Sequence, residues 1–447
     1  MKSQKISITE KISYGLGDAS ANIFLGMTMM FLPYFCTNIV GISASAMGLL
    51  FIVARLWDAF IDPIVGNMAD RTTTKYGKYR PFLLYFSVPY GLSCLLVFIA
   101  PNFSSTGNLI YVYVTYLFLT TMYAFTVVPY VALLTAITND PQERLAINAW
   151  RFPLAKAAML LCSTVVPIAV SYFGKANEAK AYLVSMSGIA ILASLLLFIC
   201  FKGTKEKIII NSEDKVSIRM QLKIIFTNKP TLLFVGFNVT GAVAFILKGS
   251  VAIYFVKYYL NASEQMVSVF LSAIAIAGII APMIAIQLIK KKLLSNIQLY
   301  KYANLFGGLA TLSILIISPE QLTLGLFLII LSVIFAELGS IVCWALPSDC
   351  ADYCEYKYSV KASGIMAAAG LFTQKVGFAI AGGIVGFSLA LAGYDTNNIT
   401  PNASFSILLL ISVAPAVFHF LSFILLCFYP LNDHKMNEIK VALEQRS

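Results

Sequence analysis

The sequence predicts an all-α membrane protein, with twelve transmembrane helices in two six-helix bundles. Three observations carry that expectation. Of the 447 residues, 59% are hydrophobic and only 12% charged, and the mean hydropathy is +0.81; soluble globular chains carry about 25% charged residues. Apolar runs of about 20 residues, long enough to cross a bilayer, begin near residues 14, 44, 81, 108, 151, 180, 230, 264, 297, 321, 362 and 404. The longest polar segment, 202–229, divides six runs from six. The expected layout is an N-terminal bundle over 1–201, a cytoplasmic linker over 202–229, and a C-terminal bundle with a cytoplasmic tail over 230–447.

Charge orients this layout. Most of the 32 Lys and Arg fall in the two tails and the even-numbered loops, whereas the odd loops hold only Lys175 and Lys180. Basic residues stay on the cytoplasmic side, so both termini and the linker are expected there. The net charge of +11 then reflects topology, and no nucleic-acid partner is expected. Met1 to Lys11 is polar and the first apolar run is too long for a signal peptide, so a multi-pass inner or plasma membrane protein is expected. Two equal halves about a charged linker are the pattern of the major facilitator fold, whose bundles rock around a midplane site. The outer loops, Pro101 to Gly107 and Ser318 to Gln321, are short. Function is therefore expected between the helices.

The second run holds the most informative residues. It is apolar from Ala44 to Gly66 except for Arg55, Asp58 and Asp62. A carboxylate in hydrocarbon costs several kcal/mol, on the order of the insertion penalty for a charged residue. Spaced i and i+4, the two acids share a helix face. Pro63 has no amide hydrogen, so the Ala59 carbonyl loses its helical donor. Such a cluster suits a small cation and points to ion-coupled transport; the competing reading is an internal salt bridge from Arg55 to Asp58. The third run is preceded by Asp62-Pro-Ile-Val-Gly66-Asn-Met-Ala-Asp70-Arg71 and Gly77-Lys78-Tyr79-Arg80-Pro81-Phe82. Gly77 permits a tight turn, Lys78 and Arg80 are expected at the headgroups, and Pro81 opens the third helix. Asp70, Arg71, Lys78 and Arg80 read as a gating latch, in which Asp70 pairs with bases in one state and releases them in the other.

The remaining runs exclude other chemistry. Cys350 and Cys354 are four apart, with no second Cys or His pair beside them; they read as packing groups, and no metal is expected beyond a sodium at Asp58 and Asp62. No His-Glu-x-x-His or Gly-x-Ser-x-Gly occurs, so no enzyme is expected. The two-halves layout is hard to reconcile with a channel, and a receptor usually adds a soluble domain that is missing here.

The acid-x3-Gly-x3-Asp-x6-Gly-Lys-aromatic-basic-Pro-aromatic arrangement from Asp62 to Phe82 resembles the glycoside–pentoside–hexuronide:cation symporter family, the melibiose and glucuronide permease relatives, with Tyr79 where Phe is usual. Further resemblance lies in Lys11-Ile-Ser-Tyr-Gly-Leu-Gly-Asp18, Ala54-Arg-Leu-Trp-Asp-Ala-Phe-Ile-Asp-Pro63, Trp344-Ala-Leu, Asp352-Tyr-Cys-Glu-Tyr-Lys357, Gln374-Lys375-Val-Gly377 and Phe428-Tyr-Pro-Leu-Asn-Asp433. The resemblance implies the major facilitator fold and sugar uptake driven by sodium or proton. It places the cation on Asp58 and Asp62 and puts Lys375 near the cation and sugar sites. In the melibiose permease, acids on the first and fourth helices grip the sugar; the matching positions here are Asn22 and Val127. Asn22 can still bond hydroxyls, whereas Val127 cannot, which implies a different or smaller sugar. Arg151 matches a family arginine, and Lys248 stands where relatives often carry Arg. Either cation is expected to meet a uronate carboxylate or to neutralise a buried acid such as Glu337. Trp344 and Tyr34 are candidates for stacking on a sugar face.

The function expected is import of a glycoside, pentoside or hexuronide by symport with sodium or a proton through alternating access. The alternative is a lysolipid or other amphiphile carrier of the same fold. No cofactor is expected beyond the coupling ion; the partners are the sugar, a monovalent cation and the lipid bilayer.

Overall fold

The computed structural model describes residues 5–138, 140–174, 177–208, 227–291, 293–358, 363–396 and 398–445. Most of the expected linker, 209–226, lies outside the described residues. Among the described residues, eleven helices are long and apolar enough to cross a membrane. They are α1 (Ile8–Ile39), α2 (Ala44–Arg71), α4 (Ser105–Ile137), α5 (Pro141–Phe173), α6 (Glu178–Gly203), α7 (Lys229–Tyr259), α8 (Glu264–Lys290), α9 (Asn296–Ile316), α10 (Leu322–Tyr358), α11 (Ser363–Leu391) and α12 (Pro401–Cys427). The remaining expected span, α3, is two shorter helices, Arg80–Tyr85 and Ser87–Val97. A last helix, α13 (Asp433–Glu444), follows.

Prolines explain the irregularities. A proline removes the donor to the carbonyl four residues before it. Pro89 strips Tyr85 of that donor, and α3 breaks at Phe86. Pro415 does the same to Ile411, and α12 breaks at Ser412. Pro33 frees the Met29 carbonyl inside the π-helical stretch Met27–Phe31. The first helix starts earlier than its apolar run: Ser7 caps it by accepting the Glu10 N–H at 3.2 Å, so the expected start near residue 14 comes one and a half turns late.

The chain divides into two compact units, one built on Met1–Ser212 with Ala262–Ala275 and Asp395–Asn398, the other on Glu213–Asn261, Ile276–Tyr394 and Ile399–Ser447. In the first, α1 packs on α5 and α6, α2 on α4, and α3 on α4 and α6. In the second, α7 packs on α11 and α12, α9 on α10 and α12, and α13 against the second half of α10. Aromatic rings of Phe237, Tyr300 and Tyr429 pack edge to face in its core.

The two halves of the sequence repeat one local structure. Tyr34-Phe35 and Tyr254-Phe255 each lead into a π-helical last turn, Phe35–Ile39 and Phe255–Tyr259. In each, the amide five residues on bonds back at 3.0 Å: Val40 to Phe35 and Leu260 to Phe255. A left-handed residue follows at Gly41 (φ 78°) or Asn261 (φ 48°), where Gly and Asn carry the smallest penalty. Ser43 or Ser263 then starts the next helix. No internal repeat stands out in the sequence by composition, because only these few turn residues keep it.

Candidate cation and substrate site

On α2, Leu56, Phe60 and Ile64 recur every fourth residue and stay exposed, a stripe suited to lipid. The ionic residues lie on other faces. Asp58 is buried, 2% exposed, and its Oδ2 sits 2.9 Å from Arg55 Nη1. Arg55 Nη2 donates to the Tyr116 hydroxyl of α4 at 3.4 Å, and Trp57 Nε1 donates to Thr121 Oγ1 at 2.8 Å. These bonds fix the rotation of α2 against α4, and Gly66 faces Val128 across the same contact. Asp62, one turn on, is half-buried. The internal pair from Arg55 therefore forms, and it coexists with Asp62 in the run. An Arg is always charged, so, counted as formal charges, Arg55, Asp58 and Asp62 leave this run one net negative charge.

A second ionic pair joins α1 to α5. Arg151 Nε lies 2.9 Å from Asp18 Oδ2, with the N–H off the hydrogen-bond direction, and the Asn22 amide donates to the Asp18 carbonyl at 2.9 Å. Gly15 makes this approach possible: a Cβ there would lie 2.7 Å from Leu154 Cδ1 and 3.2 Å from Arg151 Cα. Asn22 and Arg151 are thus brought to one place, and Asp18 is the acid that Arg151 neutralises, in place of Glu337. Sequence reasoning missed Asp18 as a site residue, although its signal was present: an acid one turn before Asn22 in an apolar helix. Val127 is half-buried on α4. Tyr34 is buried; its hydroxyl donates to Glu178 Oε1 at 3.2 Å and its ring stacks near Tyr182, so packing rather than a free sugar-stacking face accounts for it.

In the second unit, Lys248 of α7 is buried, with Nζ 3.4 Å from Ser332 Oγ and 3.5 Å from the Ser332 carbonyl on α10. Both contacts are long for a charge-assisted bond. Glu337 of α10 and His419 of α12 are buried within electrostatic reach of Lys248, and His419 Nδ1 meets Asn304 Oδ1 of α9 at 3.2 Å. Lys375 is half-buried on α11. Trp344 belongs to α10, but its side chain lies outside the described residues. Cys350 Sγ meets the Tyr429 hydroxyl at 3.3 Å, and Cys354 Sγ accepts from Asn228 Nδ2 at 3.0 Å. Among the described residues no group of three or more His, Cys, Asp or Glu is placed to hold a metal.

The latch residues gather at the end of the first unit. Asp70 accepts from the Tyr79 hydroxyl at 3.2 Å and lies 3.8 Å from Lys78 Nζ. Burial and the Asp70 carboxylate beside it push the Tyr79 phenol well above its usual range. Arg71 is exposed at the end of α2. Arg80 corrects the headgroup expectation: its guanidinium donates to the Phe201 carbonyl at 2.8 Å and to the Tyr76 carbonyl at 3.2 Å, so it faces protein. Gly77 does turn the chain, at φ 108°.

Residues 13–433 match the family model described as MFS/sugar transport protein. A putative glycoside/cation symporter of Escherichia coli, YagG, is 33% identical over 441 residues, covering 98% of this chain and 95% of that protein. The glucuronide carrier protein homolog of Escherichia coli is 29% identical over 455 residues, covering 99% and 97%. Among solved structures, a D-xylose-proton symporter superposes with a TM-score of 0.68 at 13% identity, covering 95% of this chain and 97% of that one, which speaks to the fold. With its helical spans and the Asp62–Phe82 motif, the chain is a multi-pass transporter, not an enzyme, and belongs to the glycoside–pentoside–hexuronide:cation symporter family of the major facilitator superfamily.

Proposed function

We propose that this protein imports a glycoside, pentoside or hexuronide together with one sodium ion or proton by alternating access, with both termini in the cytoplasm of a cell bounded by its inner or plasma membrane. The observation that carries the reading is the α2 run, where a buried carboxylate at 2.9 Å from Arg55 is followed one turn on by Asp62. Asp58 and Asp62 hold the cation, and Arg55 orients Asp58. Arg151, Asn22, Lys248, Trp344 and Lys375 bind the sugar, with Asp18 setting the orientation of Arg151. Asp70, Arg71, Lys78 and Arg80 order the loop into α3 as the carrier reorients. The substrates named for the relatives, a glycoside and a glucuronide, support the substrate class.

Cation binding neutralises the residual charge on α2 and orders it for the sugar, so each ligand tightens the other; such coupling is reciprocal. The test is uptake into vesicles across a panel of pentosides, hexosides and uronides under imposed sodium or proton gradients. Accumulation that collapses with one gradient identifies both ligands. If no sugar moves under either gradient, the substrate reading fails and amphiphile transport becomes the leading alternative.

A further inference from the structure

The segment that follows α6, residues 204–208, was expected to open a charged linker, yet its side chains and amides are tied into the first unit. The Glu206 carboxylate accepts three consecutive backbone amides: Lys78 at 2.8 Å on Oε2, and Tyr79 at 2.7 Å and Arg80 at 2.8 Å on Oε1. Successive N–H groups converging on one anion form a nest, and charge-assisted bonds of this length are the strong ones. Gly77 is what makes the nest possible. Its φ is 108°, and a Cβ there would lie 2.5 Å from the Glu206 carboxyl carbon.

The flanking residues hold the same segment from other sides. The Lys205 N–H donates to Glu10 Oε1 at 3.1 Å, and the Lys207 ammonium to Glu10 Oε2 at 2.7 Å, at the start of α1. The Lys207 and Ile208 amides donate to the Ala136 carbonyl at 2.8 and 3.0 Å, at the end of α4. Arg80 closes the circuit onto the Phe201 carbonyl of α6, with its guanidinium over the Phe201 ring at 4.8 Å. The start of α1, the ends of α4 and α6, and the loop between α2 and α3 therefore meet around one short segment.

We propose that Glu206 is a positioning residue for transport: by holding the 77–80 backbone it makes the loop after α2 and the end of α6 move as one body during reorientation. Lys78, Tyr79 and Arg80 then carry their latch contacts on a backbone that Glu206 sets. This role goes beyond ligand binding and predicts a kinetic signature of its own. Loss of a group that acts in reorientation lowers the maximal rate and leaves apparent sugar affinity nearly unchanged.

Glu206→Ala and Gly77→Ala break the contact from opposite sides, and Glu206→Gln keeps the volume and one acceptor oxygen while removing the charge. In full-length protein reconstituted in vesicles, the two alanine variants are expected to lower maximal sugar uptake about tenfold with KM within about twofold, with Glu206→Gln between them and the wild type. In parallel, trypsin should cut purified variants after Lys75 or Lys78 about fivefold faster or more, because the loop opens locally. The kinetic arm rests on the sugar-transport reading; the trypsin arm does not. Wild-type uptake and cleavage rates in Glu206→Ala and Glu206→Gln overturn the proposal, as does a raised KM at unchanged maximal rate. If the alanine variants fail to reach the membrane, Glu206→Gln decides. If the wild type moves none of the sugars, the transport reading falls, and unchanged trypsin cleavage in the variants would still overturn the positioning role.

Discussion

Replacing Asp62 with Asn removes one formal charge from α2 and leaves the Arg55–Asp58 pair at 2.9 Å in place. Replacing Asp58 with Asn removes the same charge but also takes the carboxylate at 2.9 Å from a guanidinium whose side chain is only 9% exposed. The two variants should therefore agree on coupling and differ on folding. A unit charge about 4 Å from a bound cation is worth about 4 kcal/mol at an effective dielectric of about 20. That is about three powers of ten in cation affinity, so neither variant should accumulate sugar against a gradient, while exchange or sugar binding partly survives. Breaking a buried pair from one side costs about 3–5 kcal/mol, so Asp58→Asn should melt several degrees below Asp62→Asn in the same detergent. Sugar accumulation in vesicles with graded sodium or proton reports the first effect, and thermal unfolding of purified protein reports the second. Wild-type accumulation by either variant would refute the cation site. Equal melting temperatures would refute the assignment of the pair as a folding element distinct from Asp62.

Asp18→Asn should likewise strand Arg151 and lower the melting temperature, at a cost of about 3 kcal/mol, and sugar KM should rise because Arg151 loses its orientation; an unchanged KM would detach the pair from the sugar. Lys248→Met should lower the melting temperature, since it takes away the ammonium within electrostatic reach of the buried Glu337 carboxylate, and cut uptake at least about tenfold; uptake at the wild-type rate would remove Lys248 from substrate binding. Ahead of the apolar span of α5, which runs Ala146–Phe173, the hydrogen bond from Lys11 at 2.8 Å holds the Glu143 carboxyl below the usual carboxylate range. A depressed folded value stabilises above the unfolded value and is lost as pH falls through the folded one. Lys11→Met should therefore lose a small part of its stability near neutral pH and show a shallower decline in melting temperature below about pH 5; parallel acid profiles for the two proteins would contradict this.

The sequence made the all-helical membrane fold and the α2 run legible because each rests on local pattern. Hydrophobic length counts helices, and an i, i+4 acid pair is visible without knowing the fold. Gly77 and Pro81 could be assigned to a turn and a helix start on the same grounds. What escaped were pairings between distant segments. Arg151 was singled out because it matches a family arginine, but nothing local linked it to Asp18, which lies on another helix. Glu206 stands among lysines just past the sixth span, which reads as solvated linker until three amides from residues 78–80 converge on it. Arg80 was read as a headgroup contact because charge at a helix end usually meets lipid, whereas the Phe201 carbonyl takes it instead. In each case the missing information was which helix ends are neighbours.

The repeat between the two halves of the sequence bears on the stoichiometry of the proposed coupling. Tyr34-Phe35, Gly41 and Ser43 correspond at one constant spacing to Tyr254-Phe255, Asn261 and Ser263. Carried forward at that spacing, Arg55, Asp58 and Asp62 of α2 fall on Ala275, Gly278 and Pro282 of α8. The ionic run is thus present in one copy of the repeat and replaced in the other by residues with no charge and no side-chain oxygen. A duplicated scaffold with one charged copy offers one residual negative charge on these two helices, and a second monovalent cation bound to α2 would leave a net positive charge in low dielectric, which burial penalises heavily. One cation per sugar is therefore expected. Flux-balance measurements in vesicles, setting the sugar gradient against a known cation gradient and finding the point of zero net flux, give the ratio directly. A ratio of two would require a second cation site away from α2, and would refute the charge count as the origin of stoichiometry.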